Sequence, residues 1–453
     1  MEKVDCIVVG GGLAGLSAAY GLASAGVEVM VLERGDYAGA KNVTGGRLYT
    51  SVLGDVYPEL WEEAAAEGGP FERPVVREAV TVLGDGAATT VELRSDRLAA
   101  PSPQSHTLLR AKFDQWLAEK ATDKGATIVT GMKADELLLE GGGASGGGAT
   151  GGGAAAATSR PKVIGIRAGD DEVGADVTIV AEGALGLLAS GAGLREQPRA
   201  ADHALGFKEV VELPSQTIED RFRVAEGEGA AHLFLGTVTR GMTGGGFLYT
   251  NKESLSLGIV VSMEQMRARE DELESWQLLD EFRKLPAVAP LVAGGTVAEY
   301  SAHGIPEGGI EQVPRLFGDG YLLAGDAAGL SLNALVTVRG MDFAIASGHS
   351  AAQAVLTARK ADDYSAAMLA AYDRLLHRSF VLPDMAAARD YPRIIENRRL
   401  FTQYPDLLVR QVEALFTVGP GPSPRLLPRL WRGKREIVFD PATWRDLWSM
   451  RRL

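Results

Sequence analysis

Sulfur chemistry is almost absent from this chain: its 453 residues hold one cysteine, Cys6. A lone thiol closes no intramolecular disulfide, builds no cysteine-based zinc site and cannot ligate a four-cysteine iron–sulfur cluster. Cys6 lies in the apolar run Val4-Asp5-Cys6-Ile7-Val8-Val9, where it is expected as a small core residue. Long hydrophobic stretches are missing too, since none reaches the ~18–20 uninterrupted apolar residues of a membrane-spanning helix. The nearest, 179–194, is broken by Glu182 and several glycines. No basic segment followed by an apolar one opens the chain, so no secretory signal is expected, and a location in the cytosol or on a membrane from its cytosolic side is predicted. Excess positive charge is lacking as well: the net charge is −13, which argues against a nucleic-acid partner. The six histidines (His106, His203, His232, His303, His349, His377) are scattered, with no His-x-x-x-His pair, no Ser/His/Asp arrangement and no cysteine nucleophile. No catalytic side chain or metal ligand is therefore assigned, and the chemistry is left to a cofactor.

What is present is a nucleotide-binding signature. Ile7–Val9 is a β-branched strand, Leu13 to Ala25 is rich in Ala and Leu, and Val27 to Leu32 forms a second strand ending in Glu33. Between them stands Gly10-Gly11-Gly12-Leu13-Ala14-Gly15. Gly10 allows the tight strand-to-helix turn, Gly12 lets backbone approach a pyrophosphate, and Gly15 lets helix and strand pack closely. Glu33 is placed to accept from a ribose hydroxyl, beside Arg34. Some 300 residues later Tyr321-Leu322-Leu323-Ala324-Gly325-Asp326-Ala327-Ala328-Gly329 repeats the strand-to-turn theme with a carboxylate. Asp326 suits the ribityl chain of a long dinucleotide, and the long Ala-rich helix expected to follow, with Gly340 and Met341 in it, offers a positive N-terminus. The two motifs together select FAD over NAD.

Three further stretches complete the pattern: Gly39-Ala40-Lys41-Asn42-Val43-Thr44-Gly45-Gly46-Arg47-Leu48-Tyr49, Arg110-Ala111-Lys112-Phe113-Asp114-Gln115-Trp116-Leu117, and Gly244-Gly245-Gly246-Phe247-Leu248-Tyr249. With the glycine motifs and the segment Ile310 to Leu316, they resemble the FixC family, the electron-transfer-flavoprotein:quinone oxidoreductase subunits of electron-bifurcating FixABCX (EtfABCX) complexes. The resemblance runs from the first strand to about residue 435. It implies an α/β chain with a glutathione-reductase-type FAD-binding Rossmann-like fold, an inserted sheet-rich quinone domain and a helical C-terminal region. The FAD domain is expected from 1–75, 105–200 and 310–360, the cap from 76–104 and 201–309, and the helical region from 361–453. The resemblance also places Lys41, Thr44, Gly45, Gly46 and Arg110 at the flavin, with Lys41 and Arg47 as candidates for stabilising its reduced form. It implies FixA- and FixB-like electron-transfer-flavoprotein subunits and a quinone as partners, on the cytosolic face of the inner membrane. Single-chain relatives of this type carry their own cysteine-ligated [4Fe–4S] cluster; with Cys6 alone, this chain implies a separate ferredoxin-like FixX subunit.

Two rival functions share the same motifs. One is a single-component flavoenzyme, geranylgeranyl-reductase-like or hydroxylase-like, acting directly on a lipid or aromatic substrate; Thr44 stands where such reductases usually show a cysteine. The other is a flavin-bearing assembly subunit without turnover. Two segments fall outside the motifs. The run Gly141 to Gly153 (GGGASGGGATGGG), followed by Ala154–Ala157, is expected to form a surface loop or hairpin insertion. From Arg425 to Leu453 eight basic residues face three acidic ones, with Trp431, Trp444 and Trp448 among them, a mixture suited to a membrane surface or to an acidic partner.

Overall fold

The computed structural model describes residues 2–42, 46–95, 97–99, 103–140, 161–271, 273–421 and 440–452. The Gly-rich run and residues 425–439 of the basic segment lie outside the described residues, as do Thr44 and Gly45.

Two large sheets organise the chain. In the first, strands run in the order Phe317–Gly318, Tyr321–Leu323, Asp171–Val180, Glu2–Val9, Val29–Leu32 and Thr127–Val129. The last five pair in parallel. The strand Glu2–Val9 is followed on one side by Val29–Leu32, while Asp171–Val180 lies on its other side, so the order reverses beside the first strand. In such sheets ligands bind at that switch point, beyond the carboxyl ends of the strands. The strands here read as near-continuous apolar runs because both faces are covered. Helix Leu13–Ser24 packs against Met341–Ala361 and Arg110–Asp123 on one face. The first two approach so closely that a Cβ on Gly348 would lie 2.1 Å from the Ala14 carbonyl oxygen.

The second sheet has nine strands and is mostly antiparallel: Thr296–Pro306, His203–Glu212, Ser254–Ser262, Gly244–Thr250, Gly229–Gly236, Phe71–Leu83, Ser105–Leu108 and Gly46–Tyr49, with Ala88–Arg94 beside Phe71–Leu83. Side chains alternate across it. Phe207, Phe234, Leu248, Leu257 and Ile259 point to one side and build a core with Ile218, Leu278 and Phe282 from the covering helices. The opposite side faces the first sheet. This sheet takes in Gly46–Tyr49 and Ser105–Leu108, which sequence segmentation places in the nucleotide domain. They join it through backbone pairing of Ser105–Leu108 to Phe71–Leu83, at Phe71↔Leu108 and Pro74↔His106.

A second departure concerns the expected long helix after Asp326. A short 3₁₀ turn, Gly325–Ala328, ends at Gly329 (φ +68°), and a hairpin of Leu332–Asn333 with Val338–Arg339 intervenes before helix Met341–Ala361 begins. The β-branched Val336-Thr337-Val338 favours extended backbone over helix. Among the described residues no helix is long and apolar enough to cross a membrane.

Candidate functional site

A cavity of about 520 Å³ opens between the two sheets. Its floor is the switch point. Gly10, in left-handed territory at φ +109°, turns tightly enough that a Cβ would sit 2.3 Å from the Ala181 carbonyl oxygen. A Cβ on Gly15 would lie 2.0 Å from the Gly10 carbonyl, so both glycines are dictated by packing. Gly12 is different: nothing but the tips of Arg110 and Asn42, at 3.9 and 4.0 Å, approaches its missing Cβ. Open space over a glycine at a helix N-terminus, with a guanidinium at its edge, is what a bound pyrophosphate needs. Leu13 and Ala14 continue this wall, and Gly325 (φ +61°) closes against Ala14, where a Cβ would come within 2.8 Å.

Charged groups gather around this floor. Glu33 lines the cavity but is already engaged, accepting from the backbone N–H of Gly11 (2.9 Å) and Gly35 (2.6 Å). It stiffens the glycine turn while keeping lone pairs for a ribose. Arg34, Lys41, Arg47, Gly46, Gly340, Met341 and Asp326 all line the same cavity. Burial raises the Asp326 carboxyl, opposed by nearby Arg110 and His203. Gly46 and the start of helix Met341–Ala361 face one another, the Met341 methyl standing 3.0 Å from where a Gly46 Cβ would be. In the first turn of that helix Asp342 pairs with Arg339. Arg47 is also committed: its guanidinium forms an ion pair with Glu78 and donates from Nε to Ser105 Oγ at 2.9 Å. Lys41, in contrast, is exposed at the cavity wall. Glu182 lines the cavity and accepts from the N–H groups of Leu188 (2.8 Å) and Ala189 (2.7 Å).

The roof comes from the second sheet, and of its residues only those of the Gly244–Tyr249 stretch belong to a sequence motif. Its inward side carries Gly206, Lys208, Leu233, Leu235, Gly245, Phe247, Tyr249, Val260 and His303. Register explains the grouping: Gly206 lies opposite His303 and Val260, and Lys208 opposite Gly258, all on one face. Lys208 is buried; desolvation pushes its ammonium well down, as does Arg110, while Glu299 opposes them. His303 is likewise lowered, first by burial and then by Arg110, Arg34 and Lys208, so it presents a neutral imidazole near neutral pH. Neither Lys208 nor His303 is singled out by any motif in the sequence. Leu335, Ile395 and Phe401 add apolar side chains to the lining. Cys6, buried in the first strand, takes no part, and burial raises its thiol.

The residues therefore fit an FAD: a pyrophosphate cradle, an acid at each strand end, and a sheet over the far half. When bound, FAD supplies one- and two-electron chemistry, while the protein orients it and sets its electrostatics. Residues 5–78 match the model of FAD dependent oxidoreductases. Among solved structures, a geranylgeranyl bacteriochlorophyll reductase-like protein from Thermoplasma acidophilum superposes with a TM-score of 0.69 at 22% identity, covering 97% of this chain and 98% of that one. A variant of the halogenase PltM in complex with FAD superposes at 0.61 and 17% identity, covering 90% of this chain and 79% of that one. At such identities the likeness speaks for the fold. Sequence relatives are much nearer. Protein FixC of Escherichia coli is 42% identical over 436 residues, 96% of this chain and 95% of that protein. A probable electron transfer flavoprotein-quinone oxidoreductase, YdiS, from the same species is 41% identical over 93% of this chain and 92% of its own length. Protein FixC of Rhizobium meliloti is 38% identical over 93% and 92%. The chain is an FAD-dependent oxidoreductase and belongs to the FixC family.

Proposed function

We propose that this chain accepts electrons from an electron-transfer flavoprotein, passes them through its FAD and reduces a membrane quinone. It does so as one subunit of an NADH-oxidising, ferredoxin-reducing bifurcating complex. Its partners are FixA- and FixB-like subunits and a small FixX-like protein that carries the [4Fe–4S] cluster, assembled peripherally on the cytosolic face of the inner membrane. The observation that carries this reading is the continuity of the cavity: the cradle over Gly12 opens directly into an apolar half walled by Leu233, Leu235, Phe247, Val260 and Phe401. A quinone head and the first part of its tail match that surface, while His303 and Lys208 are the proton-bearing groups nearest to hand in the roof. Relatives named for FixC and for quinone reduction support it. So does the single cysteine, which leaves a cluster to another chain.

The test mixes purified, FAD-loaded protein with NADH alone, then with a reduced electron-transfer flavoprotein and a short-chain quinone. Flavin bleaching only through the flavoprotein, followed by quinone-dependent reoxidation, is expected. Rapid bleaching by NADH alone identifies a single-component flavoenzyme instead, and a flavin that neither partner reduces identifies a scaffold.

A further inference from the structure

The C-terminal helix Pro441–Met450 is built inside out. Its inward face is polar: Thr443 is 3% and Asp446 6% exposed. Both are held by the segment just after the cavity wall. Arg399 donates to Thr443 Oγ1 at 2.8 Å and forms ion pairs with Asp440 and Asp446, while the Tyr404 hydroxyl donates to Asp446. Its outward face is apolar, with Trp444 at 58%, Leu447 at 51% and Trp448 at 62% exposure. The spacing i, i+3, i+4 makes these one stripe, and Arg451 continues it with its guanidinium 3.6 Å from the Trp448 ring centre. A surface helix ordinarily buries such a stripe and hydrates its polar residues. Here the cost of exposing two indoles is borne while two carboxylates are turned inward.

Charge narrows the occupant. With Asp446 buried and Asp440 paired to Arg399, the exposed charges from 441 to 452 are Arg445, Arg451 and Arg452, all cationic, the last beside Asp390, on a chain of net −13. Tryptophan beside arginine on one exposed stripe suits the headgroup level of a bilayer with anionic lipid, where indoles sit half immersed and cations meet phosphates. Position adds a second argument. Arg399 and Tyr404, the anchors of the helix, flank Phe401, an apolar residue of the cavity lining. Arg398 donates to the Gly241 carbonyl at 3.0 Å, close to the cavity residues Thr243 and Gly244. The neighbouring helix Gln403–Phe416 also leaves Leu408, Leu415 and Phe416 exposed.

We infer that helix Pro441–Met450 is an interfacial anchor that seats the protein on anionic phospholipid through Trp444, Leu447 and Trp448, beside Phe401 of the cavity lining. Its purpose rests on the quinone reading above: a substrate dissolved in the bilayer then has a short path to Phe401. The anchor itself is a separate property of this surface.

The test is flotation of full-length, FAD-loaded protein with vesicles of phosphatidylcholine alone or mixed equally with phosphatidylglycerol, at low and high salt. Binding to the mixed vesicles, weakened by salt, is expected, with a blue shift of tryptophan emission. Arg445→Gln and Arg451→Gln should each weaken it about fivefold. Leu447→Glu with Trp448→Glu should weaken it at least about tenfold, since each swaps a buried apolar contact for a charge. Flavin absorbance and reduction of a water-soluble quinone should match wild type in every variant, showing that the fold is kept. Flotation of the double variant like wild type overturns the inference. So does a wild-type protein that ignores vesicles but uses this stripe to bind electron-transfer flavoprotein or a second copy of itself. Normal flotation with no quinone reduction sinks the quinone reading and leaves the anchor standing; normal quinone reduction without flotation does the reverse.

Discussion

Arg110 and Asp114 form a two-pronged ion pair one helical turn apart, Nε to Oδ1 and Nη2 to Oδ2 both at 2.8 Å. The Asp114 carboxylate is fully buried and also accepts from Asn42 Nδ2 at 2.6 Å. It thus fixes the two side chains that border the space over Gly12. Asp114→Asn should leave the guanidinium without its fork and weaken FAD retention about tenfold, the loss expected for one charge-assisted hydrogen bond. Fluorescence of FAD released on dilution measures it; retention equal to wild type means that Arg110 is placed by other contacts.

The glycines of the first turn should separate by phenotype. A Cβ at position 12 meets no protein atom closer than 3.9 Å, so the Gly12→Val apoprotein should fold and melt like wild type yet come off the column colourless. Gly10→Ala faces the Ala181 carbonyl at 2.3 Å with φ at +109° and should instead lower thermal stability outright. A yellow, stoichiometrically loaded Gly12→Val protein contradicts the placement of the pyrophosphate.

Arg73, 1% exposed, satisfies its guanidinium on Asn251 O (2.7 Å), Glu219 (2.8 Å), Glu228 O (2.9 Å), Ser215 Oγ (2.7 Å) and Lys252 O (2.9 Å). Arg73→Met should cost about 3–5 kcal/mol in urea denaturation, because it leaves Glu219 and several carbonyls unpaired. Gly227 N–H, then Arg73, hold the Glu219 carboxyl below its ordinary value. Its contribution is therefore present above the unfolded carboxyl's pKa and lost as pH falls through the lower folded one. The variant should lose part of that acid sensitivity; an unchanged slope refutes the coupling.

His106 stacks on Phe71 at 4.6 Å and is pushed down to about 4 by burial. The unfolded imidazole takes its proton near ~6.5, so the folded state loses stability as pH drops from there until about 4, after which the loss levels off. The total is of the order of 2–3 kcal/mol. His106→Phe should flatten the dependence of melting temperature on pH across that window, and His232, lowered to the same value by burial, should account for much of the remainder. A wild-type melting temperature constant from neutral pH down to 4 rules the mechanism out.

The nucleotide end of the site was legible because its demands are local. A strand, Gly10 to Gly15 and a helix lie within a few residues, and each glycine answers a steric need that the spacing announces. Gly325-Asp326 was legible for the same reason. The helix expected directly after it was not, since the hairpin 332–339 joins β-branched residues to cross-strand pairing that no local motif announces. The roles of Arg47 and Glu182 were equally out of reach: what each touches, Glu78 in one case and the Leu188 and Ala189 amides in the other, follows from loop geometry.

Composition and short-range pattern alone thus determined the dinucleotide cradle and the acidic body. Tertiary structure decided what faces what. Only sheet register puts Lys208 and His303 on the inward side of the roof, and only the pull of Arg399 and Tyr404 on Asp446 turns the last helix so that Trp444 and Trp448 look outward. Both outcomes depend on partners tens of residues or more away in the chain, where side-chain periodicity carries no information about which of two faces will be buried.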